Sequence, residues 1–135
     1  AQFEAKIKNC RVSLQACPAF VSRVNGELLY RCLENVIRNA VRHTRSVSTV
    51  RVCAAVDLPT QSLTVQIIDQ GPGVESSRLQ SIFQPFERGI GEHSGGFGLG
   101  LAIASRAVEV HGGTIAAHNQ PSGGLIMEIR LPHRA

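Results

Sequence analysis

The segment GGFGLGLAIA, residues 95–104, places four glycines directly before an apolar helical run. A glycine-rich turn that opens a helix favours anions, because the free backbone N–H groups and the helix dipole both face the ligand. The spacing Gly96-x-Gly98-x-Gly100 follows a loop and not a strand, which argues against a dinucleotide-binding fingerprint. The segment also lacks the lysine of a P-loop. The segment therefore favours a phosphate site that is neither a dinucleotide-binding fingerprint nor a P-loop.

Composition indicates one globular domain of 135 residues, 43% of them hydrophobic and 18% charged. The net charge of +4 comes mainly from arginine and favours phosphate-bearing partners. A clustered basic stripe with interleaved aromatic residues is missing, which argues against nucleic-acid binding. No apolar run is long enough to span a bilayer, so we expect a soluble domain without direct membrane contact. The cysteines lack metal-ligand spacing and are expected to be reduced and buried: Cys10, Cys17, Cys32 and Cys53.

The hydrophobic pattern predicts an α/β two-layer sandwich, in which three helices pack on one face of a mixed β-sheet. Asn25 is placed to cap the first helix, and Gly112 and Gly113 to end the last one. Residues 84–97, which contain four glycines, are expected to form a mobile loop. Strands are predicted at 10–16, 19–24, 48–57, 62–69, 114–119 and 125–131, with 48–57 and 62–69 as an antiparallel pair. Helices are predicted at 27–44, at 77–83 with a capping-box pattern at Ser77 and Gln80, and at 98–111.

The first helix carries polar residues on one face. Asn35 and Asn39 are four residues apart, and Arg42 follows at three, so the three side chains project together. Asparagine is a poor residue for a helix interior, because its side chain competes for backbone hydrogen bonds. When the helix is considered alone, a solvated surface is the favoured explanation of such a face.

The segment DQGPGV, residues 69–74, directly follows an apolar strand. Asp, Gly and Pro make an ordinary turn without any ligand. A functional interpretation gives Asp69, at the end of the strand, the role of hydrogen-bond acceptor for an exocyclic amine, with Gly71 and Gly73 allowing the backbone to approach closely.

Four segments in register resemble the catalytic ATP-binding domain of sensor histidine kinases, a branch of the GHKL superfamily. Residues 34–44 resemble its N box, 69–74 the G1 box, 83–86 the F box and 95–100 the G2 box. The resemblance extends over residues 10–132. Within the family, the chain most resembles the membrane-bound sensor kinases of the bacterial envelope-stress type. Residues 1–9 would then be the end of a linker, and 10–135 the catalytic domain.

The resemblance implies a role for each matching residue. Asn35 and Asn39 would hold the Mg²⁺ that bridges the phosphates of ATP. Arg42 would contact phosphate, and residues 87–97 would form a lid with Arg88 near the γ-phosphate. The nucleotide would be bound by Asp69 at the adenine amino group, by His43, and by Gly71, Gly73, Gly96, Gly98, Leu99 and Gly100.

The same resemblance implies in-line transfer of the γ-phosphoryl group to a histidine, driven by positioning and charge. Hydrolytic relatives carry a water-activating glutamate where Asn35 stands, and Glu34 lies about 100° away around the helix. Asn35 therefore favours transfer over hydrolysis. None of the five histidines has the sequence context of the family's phosphoacceptor.

The acceptor is therefore expected on a separate dimerisation domain upstream, docking near Phe83, Phe86 and Ile90. A response regulator would receive the phosphoryl group, and the domain would lie on the cytoplasmic side of an inner-membrane sensor. Phe97 stands where many relatives carry a small residue, and we expect this lid residue to weaken nucleotide affinity. Two alternatives share the same boxes: a nucleotide-sensing module without kinase activity, and an anti-sigma-type serine kinase.

Overall fold

The first helix begins where a side chain supplies its missing hydrogen bond. The computed structural model describes residues 10–15, 25–85 and 99–133. Helix α1, Gly26–His43, starts after Asn25, whose side chain accepts a hydrogen bond from the Leu28 N–H, so the predicted cap is confirmed. Helix α2, Gly100–Val110, is followed by the cap residue His111 and then by Gly112 with φ +74°, as the paired glycines predict.

Within the described residues, five strands form one mixed sheet in the order β1-β2-β3-β5-β4. β1 pairs with β2 in parallel, and the other neighbours are antiparallel, including the predicted β2–β3 pair. A parallel pair requires a crossover, which here contains α1. The strands are β1 (Arg11–Gln15), β2 (Thr49–Asp57), β3 (Ser62–Ile68), β4 (Thr114–Asn119) and β5 (Leu125–Pro132).

Both helices cover the same face of the sheet, which confirms the predicted two-layer α/β class. Alternating residues of β3 and β5, such as Ile67, Met127 and Ile129, point into this layer and are fully buried. Cys32 and Val36 of α1 meet them from the helical side. Burial raises the pKa of the Cys32 thiol to about 11.

The predicted helix over 77–83 is wrong. The chain there forms two separate 3₁₀ turns, Ser76–Arg78 and Ser81–Phe83, and neither has a side-chain cap. Leu79 and Ile82 pack against the core, and the chain becomes extended at Gln84 before a proline, which ends the second turn. The part of the chain that the structure describes therefore contains two α-helices and not the three predicted.

Among the residues described, neither helix combines the length and the apolar character needed to cross a lipid bilayer. The predicted strand at 19–24, the linker at 1–9 and most of the predicted loop at 84–97 lie outside the described residues.

Candidate functional site

A cleft of about 220 Å³ separates the polar face of α1 from the start of α2. Asn35, Asn39 and Arg42 line it from α1, and Leu99 and Gly100 line it from the other side. The structure therefore brings together five of the predicted site residues from segments that lie some sixty residues apart in the sequence.

The start of α2 faces this cleft without a side-chain cap. Leu99 occupies the N-cap position and makes no capping hydrogen bond through its side chain. The first backbone N–H groups of a helix have no acceptor within the helix, and they carry its positive dipole end. Gly100 sits against Asn35, whose Oδ1 lies 3.7 Å from the position that a Cβ on Gly100 would take. The start of α2 thus directs its first N–H groups toward a cleft that also holds an amide oxygen.

The Asn39 side chain of α1 carries a buried amide nitrogen without a partner among the described residues. Asn39 is half-buried, and this nitrogen is its Nδ2 atom. An amide buried in this way is costly unless something satisfies it. Since Nδ2 is a donor and Asn39 lines the cleft, the missing partner is a hydrogen-bond acceptor.

The charge of the cleft is positive. Arg38 and Arg42 both line it, and no acidic side chain is among the described residues of its lining. Glu34, the nearest acid along α1, lies 3.8 Å from Arg38 in an i,i+4 ion pair and is not part of the lining. Positive charge beside helix N–H groups and amides suits a phosphate chain.

Asp69 lies at the end of β3 and is buried, with 2% of its surface exposed. Its Oδ1 accepts hydrogen bonds from the N–H groups of Gly71, at 2.9 Å, and Leu125, at 3.1 Å. Two backbone donors on one oxygen fix the orientation of the carboxylate. A buried carboxylate with a set direction is well suited to read one donor on a ligand.

The Asp69 loop is fastened to the last turn of α1. Gly71 touches the His43 carbonyl so closely that a Cβ there would come within 2.3 Å of the carbonyl oxygen. Thr44, which is buried, accepts a hydrogen bond from the Gln70 N–H at 2.9 Å. Since His43 is one turn beyond Asn39, the carboxylate and the amide cleft belong to the same end of α1.

Sequence reasoning missed Asn119, which holds the other side of this loop. The Asn119 side chain bonds both backbone groups of Val74, accepting from its N–H at 2.9 Å and donating to its carbonyl at 2.6 Å. Gly73, with φ +76°, leaves the space that the Asn119 amide fills. An asparagine at the end of a predicted strand, directly before a turn, was the signal available in the sequence.

Gly124 was also missed as part of the site. Its φ is +100°, and a Cβ would lie 2.1 Å from the carbonyl oxygen of Asp69. The sequence indicates only a turn there, because the close neighbour is more than fifty residues away.

Several predicted residues lie outside the described part of the chain: the lid at 87–97 with Arg88, the glycines Gly96 and Gly98, and the docking residues Phe86 and Ile90. Phe83 is described and half-buried. It packs against the core and lines a groove of about 610 Å³ together with Leu79 and Ile115.

Residues 24–135 match the family described as histidine kinase-, DNA gyrase B-, and HSP90-like ATPases. The chain is 38% identical over 118 residues to the sensor protein KdpD of Escherichia coli strain K12, which covers 87% of this chain and 13% of KdpD. It is 40% identical over 111 residues to the sensor histidine kinase CpxA of the same strain, covering 80% of this chain and 23% of CpxA. The chain thus spans less than a quarter of either relative.

Among solved structures, a mycobacterial sensor histidine kinase, MprB, superimposes with a TM-score of 0.85. The two sequences are 26% identical, and the match covers 98% of this chain and 88% of that one.

Proposed function

The chain belongs to the histidine kinase-, DNA gyrase B- and HSP90-like ATPase family, and we propose that it transfers the γ-phosphoryl group of Mg-ATP to a histidine on a separate segment of its parent protein. It is an ATP-binding catalytic domain of the sensor histidine kinase type. The observation that carries the proposal is the cleft in which amides and guanidinium groups of α1 face the uncapped start of α2.

The purine end of the nucleotide is assigned to Asp69. An ionised carboxylate only accepts hydrogen bonds. It therefore favours adenine, whose amino group donates, over a base that carries an acceptor at the same position. The two backbone bonds to its Oδ1 support this role, because they orient the carboxylate before the ligand arrives. Gly71 and Gly73 keep side chains away from the loop, and His43 lies beside it at the end of α1.

The phosphate end is assigned to the cleft. Arg42 supplies positive charge, and Leu99 and Gly100 supply the N–H groups at the start of α2. From outside the described residues, Arg88, Gly96 and Gly98 would complete the enclosure as a lid. These groups orient the triphosphate for in-line attack and counter its charge.

The donor set of the cleft fits Mg²⁺. Magnesium takes oxygen ligands and usually combines a few protein oxygens with phosphates and water. Asn35 and Asn39 offer amide oxygens as ligands, and Asn35 Oδ1 lies beside the start of α2. The buried Nδ2 of Asn39 is a donor without a partner among the described residues, which suits an acceptor such as a phosphate oxygen. When bound, Mg²⁺ would bridge phosphate oxygens and neutralise part of their charge.

Transfer is favoured over hydrolysis by the absence of acidic side chains among the described residues that line the cleft. Activation of water needs a positioned general base. Glu34 is the nearest candidate on α1, but it is turned to Arg38. Without a general base among the described lining residues to activate water, the γ-phosphoryl group is transferred to an incoming imidazole. The bond from phosphorus to the ADP oxygen breaks, a bond to the ring nitrogen forms, and ADP leaves.

The acceptor segment and its docking are further parts of the proposal. A dimerisation domain is proposed to dock near Phe83, where the half-buried ring borders an apolar groove, with Phe86 and Ile90 contributing from outside the described residues. A response regulator would take the phosphoryl group onward, and the parent protein is proposed to reside in the inner membrane.

The test is to incubate the chain with γ-labelled Mg-ATP and the dimerisation segment of its parent protein. We expect acid-labile, alkali-stable label on that segment. Replacing Asp69 by Asn should abolish most of the label, whereas Asp57→Asn, at an exposed strand end, should not. Acid-stable label on serine, or nucleotide binding without any transfer, would contradict the proposal.

A further inference from the structure

A second pocket, of about 350 Å³, opens on the face of the sheet that the helices leave uncovered. It lies at the end of β3 and the start of β2, beside the hairpin that joins β4 to β5. Its described lining includes Arg45, Arg51, Ile68, Gln70, Gln120 and Ser122.

The strand register places this pocket on the opposite side of the sheet from the nucleotide cleft. Arg51 and Ile68 are direct partners across β2 and β3. Their neighbours Val50, Val52 and Ile67 belong to the core under the helices, so Arg51 and Ile68 point the other way. Ile68 is buried, at 7% exposure, yet it is not part of that core, and it forms an apolar floor for the pocket.

The described residues in the walls of this pocket carry two positive charges, those of Arg45 and Arg51. Arg51 makes no ion pair within the described residues, and Arg45 donates to the Gln70 side chain at 3.1 Å, a neutral partner. No Asp or Glu is among the described residues that line the pocket. Two guanidinium groups that line one pocket without a carboxylate attract an anion.

We propose that this pocket binds the phosphate group of a small phosphomonoester or of free phosphate. One guanidinium fork satisfies both oxygens of a planar carboxylate. The second guanidinium, that of Arg45 in the loop between α1 and β2, and the exposed Ser122 hydroxyl line the same pocket, so they can bind further oxygens and a second negative charge. A tetrahedral dianion provides both.

The back of the nucleotide loop forms one wall of this pocket. Gln70 and Gly71 line it and directly follow Asp69. Gln120, across the pocket, donates to the Asp69 carbonyl at 3.3 Å. An anion seated there would change the environment of Gly71, which makes that amide a local reporter of binding.

The test is an NMR titration of the chain with inorganic phosphate, ribose 5-phosphate and acetate, followed at the Gly71 and Gly123 amides. We expect saturable shifts with both phosphates and weak, unsaturated shifts with acetate. Arg51→Gln should weaken phosphate binding about tenfold, the loss expected for one charge-assisted contact. Arg106→Gln, which removes an exposed arginine from α2, serves as the matched control and should bind like the parent chain.

Tighter binding of ribose 5-phosphate than of phosphate would identify a phosphomonoester as the ligand, and equal binding would identify free phosphate. The absence of saturation, equal effects of the two arginine substitutions, or acetate binding as tight as phosphate would overturn the proposal. Mg-ADP binding to Arg51→Gln should stay unchanged, which separates this site from the nucleotide cleft.

Discussion

Replacing Asp69 by Asn separates the binding role of this side chain from its structural role. The amide oxygen of Asn can still accept from the N–H groups of Gly71 and Leu125, which now bond a neutral atom. Neutral hydrogen bonds are weaker than charged ones by about 1 kcal/mol each, so the free energy of unfolding should fall by only about 1–2 kcal/mol.

Nucleotide affinity should fall much further. The amide nitrogen replaces an acceptor oxygen and would meet the adenine amino group donor to donor. The loss of one hydrogen bond to a charged group costs about 1.5–3 kcal/mol, which corresponds to roughly a 10- to 100-fold rise in the Kd of Mg-ADP.

Calorimetric titration with Mg-ADP, together with urea unfolding, measures both effects. Asp57→Asn makes the same chemical change at an exposed position and should alter neither quantity much. Asp69→Ala should instead destabilise the fold, because it leaves two backbone N–H groups without their acceptor. An Asp69→Asn variant that binds Mg-ADP like the parent chain would refute the assignment of this carboxylate to adenine.

Three further outcomes are expected. Asn39→Ala should weaken nucleotide binding more in the presence of Mg²⁺ than in EDTA, as measured by calorimetry, and equal losses would count against its role as a ligand. His111→Phe should lower the free energy of unfolding, measured in urea, by about 2–4 kcal/mol. The reason is that the His111 ring accepts a hydrogen bond from the Asn25 N–H and donates one to the Ala107 carbonyl. A loss below about 0.5 kcal/mol would show that these two hydrogen bonds do not stabilise the fold. The pKa of Cys32 rises from 9.0 to about 11 on folding, so its contribution is complete below pH 9 and is lost as the pH rises toward 11, by up to about 3 kcal/mol. Urea unfolding of Cys32→Ala should show a shallower decline over this range, and an unchanged slope would contradict the effect of burial.

Local signals made much of the fold predictable. The cap at Asn25, the glycines after α2 and the β-branched runs of β2 and β3 each act within a few residues. The wrong prediction of a helix at 77–83 also came from a local signal, the capping pattern at Ser77 and Gln80. The packing of Leu79 and Ile82 against the core depends on distant residues, and only the tertiary structure shows it.

The candidate site likewise contains residues that local sequence patterns predict and residues that only long-range contacts place there. Asn35 and Asn39 could be placed on one face from helical periodicity alone, and Asp69 from its position after a strand. Asn119 and Gly124 act across more than forty residues, on Val74 and Asp69 respectively. No pattern within a short window encodes contacts of that range, which is why the supports of the loop emerged only from the structure.

The most direct measurement is a crystal structure of the chain with Mg²⁺ and a non-hydrolysable ATP analogue. We expect the adenine amino group within hydrogen-bond distance of Asp69, and an amide oxygen of Asn35 or Asn39 on the metal. A nucleotide bound elsewhere, or a cleft closed by its own side chains, would contradict the proposed function.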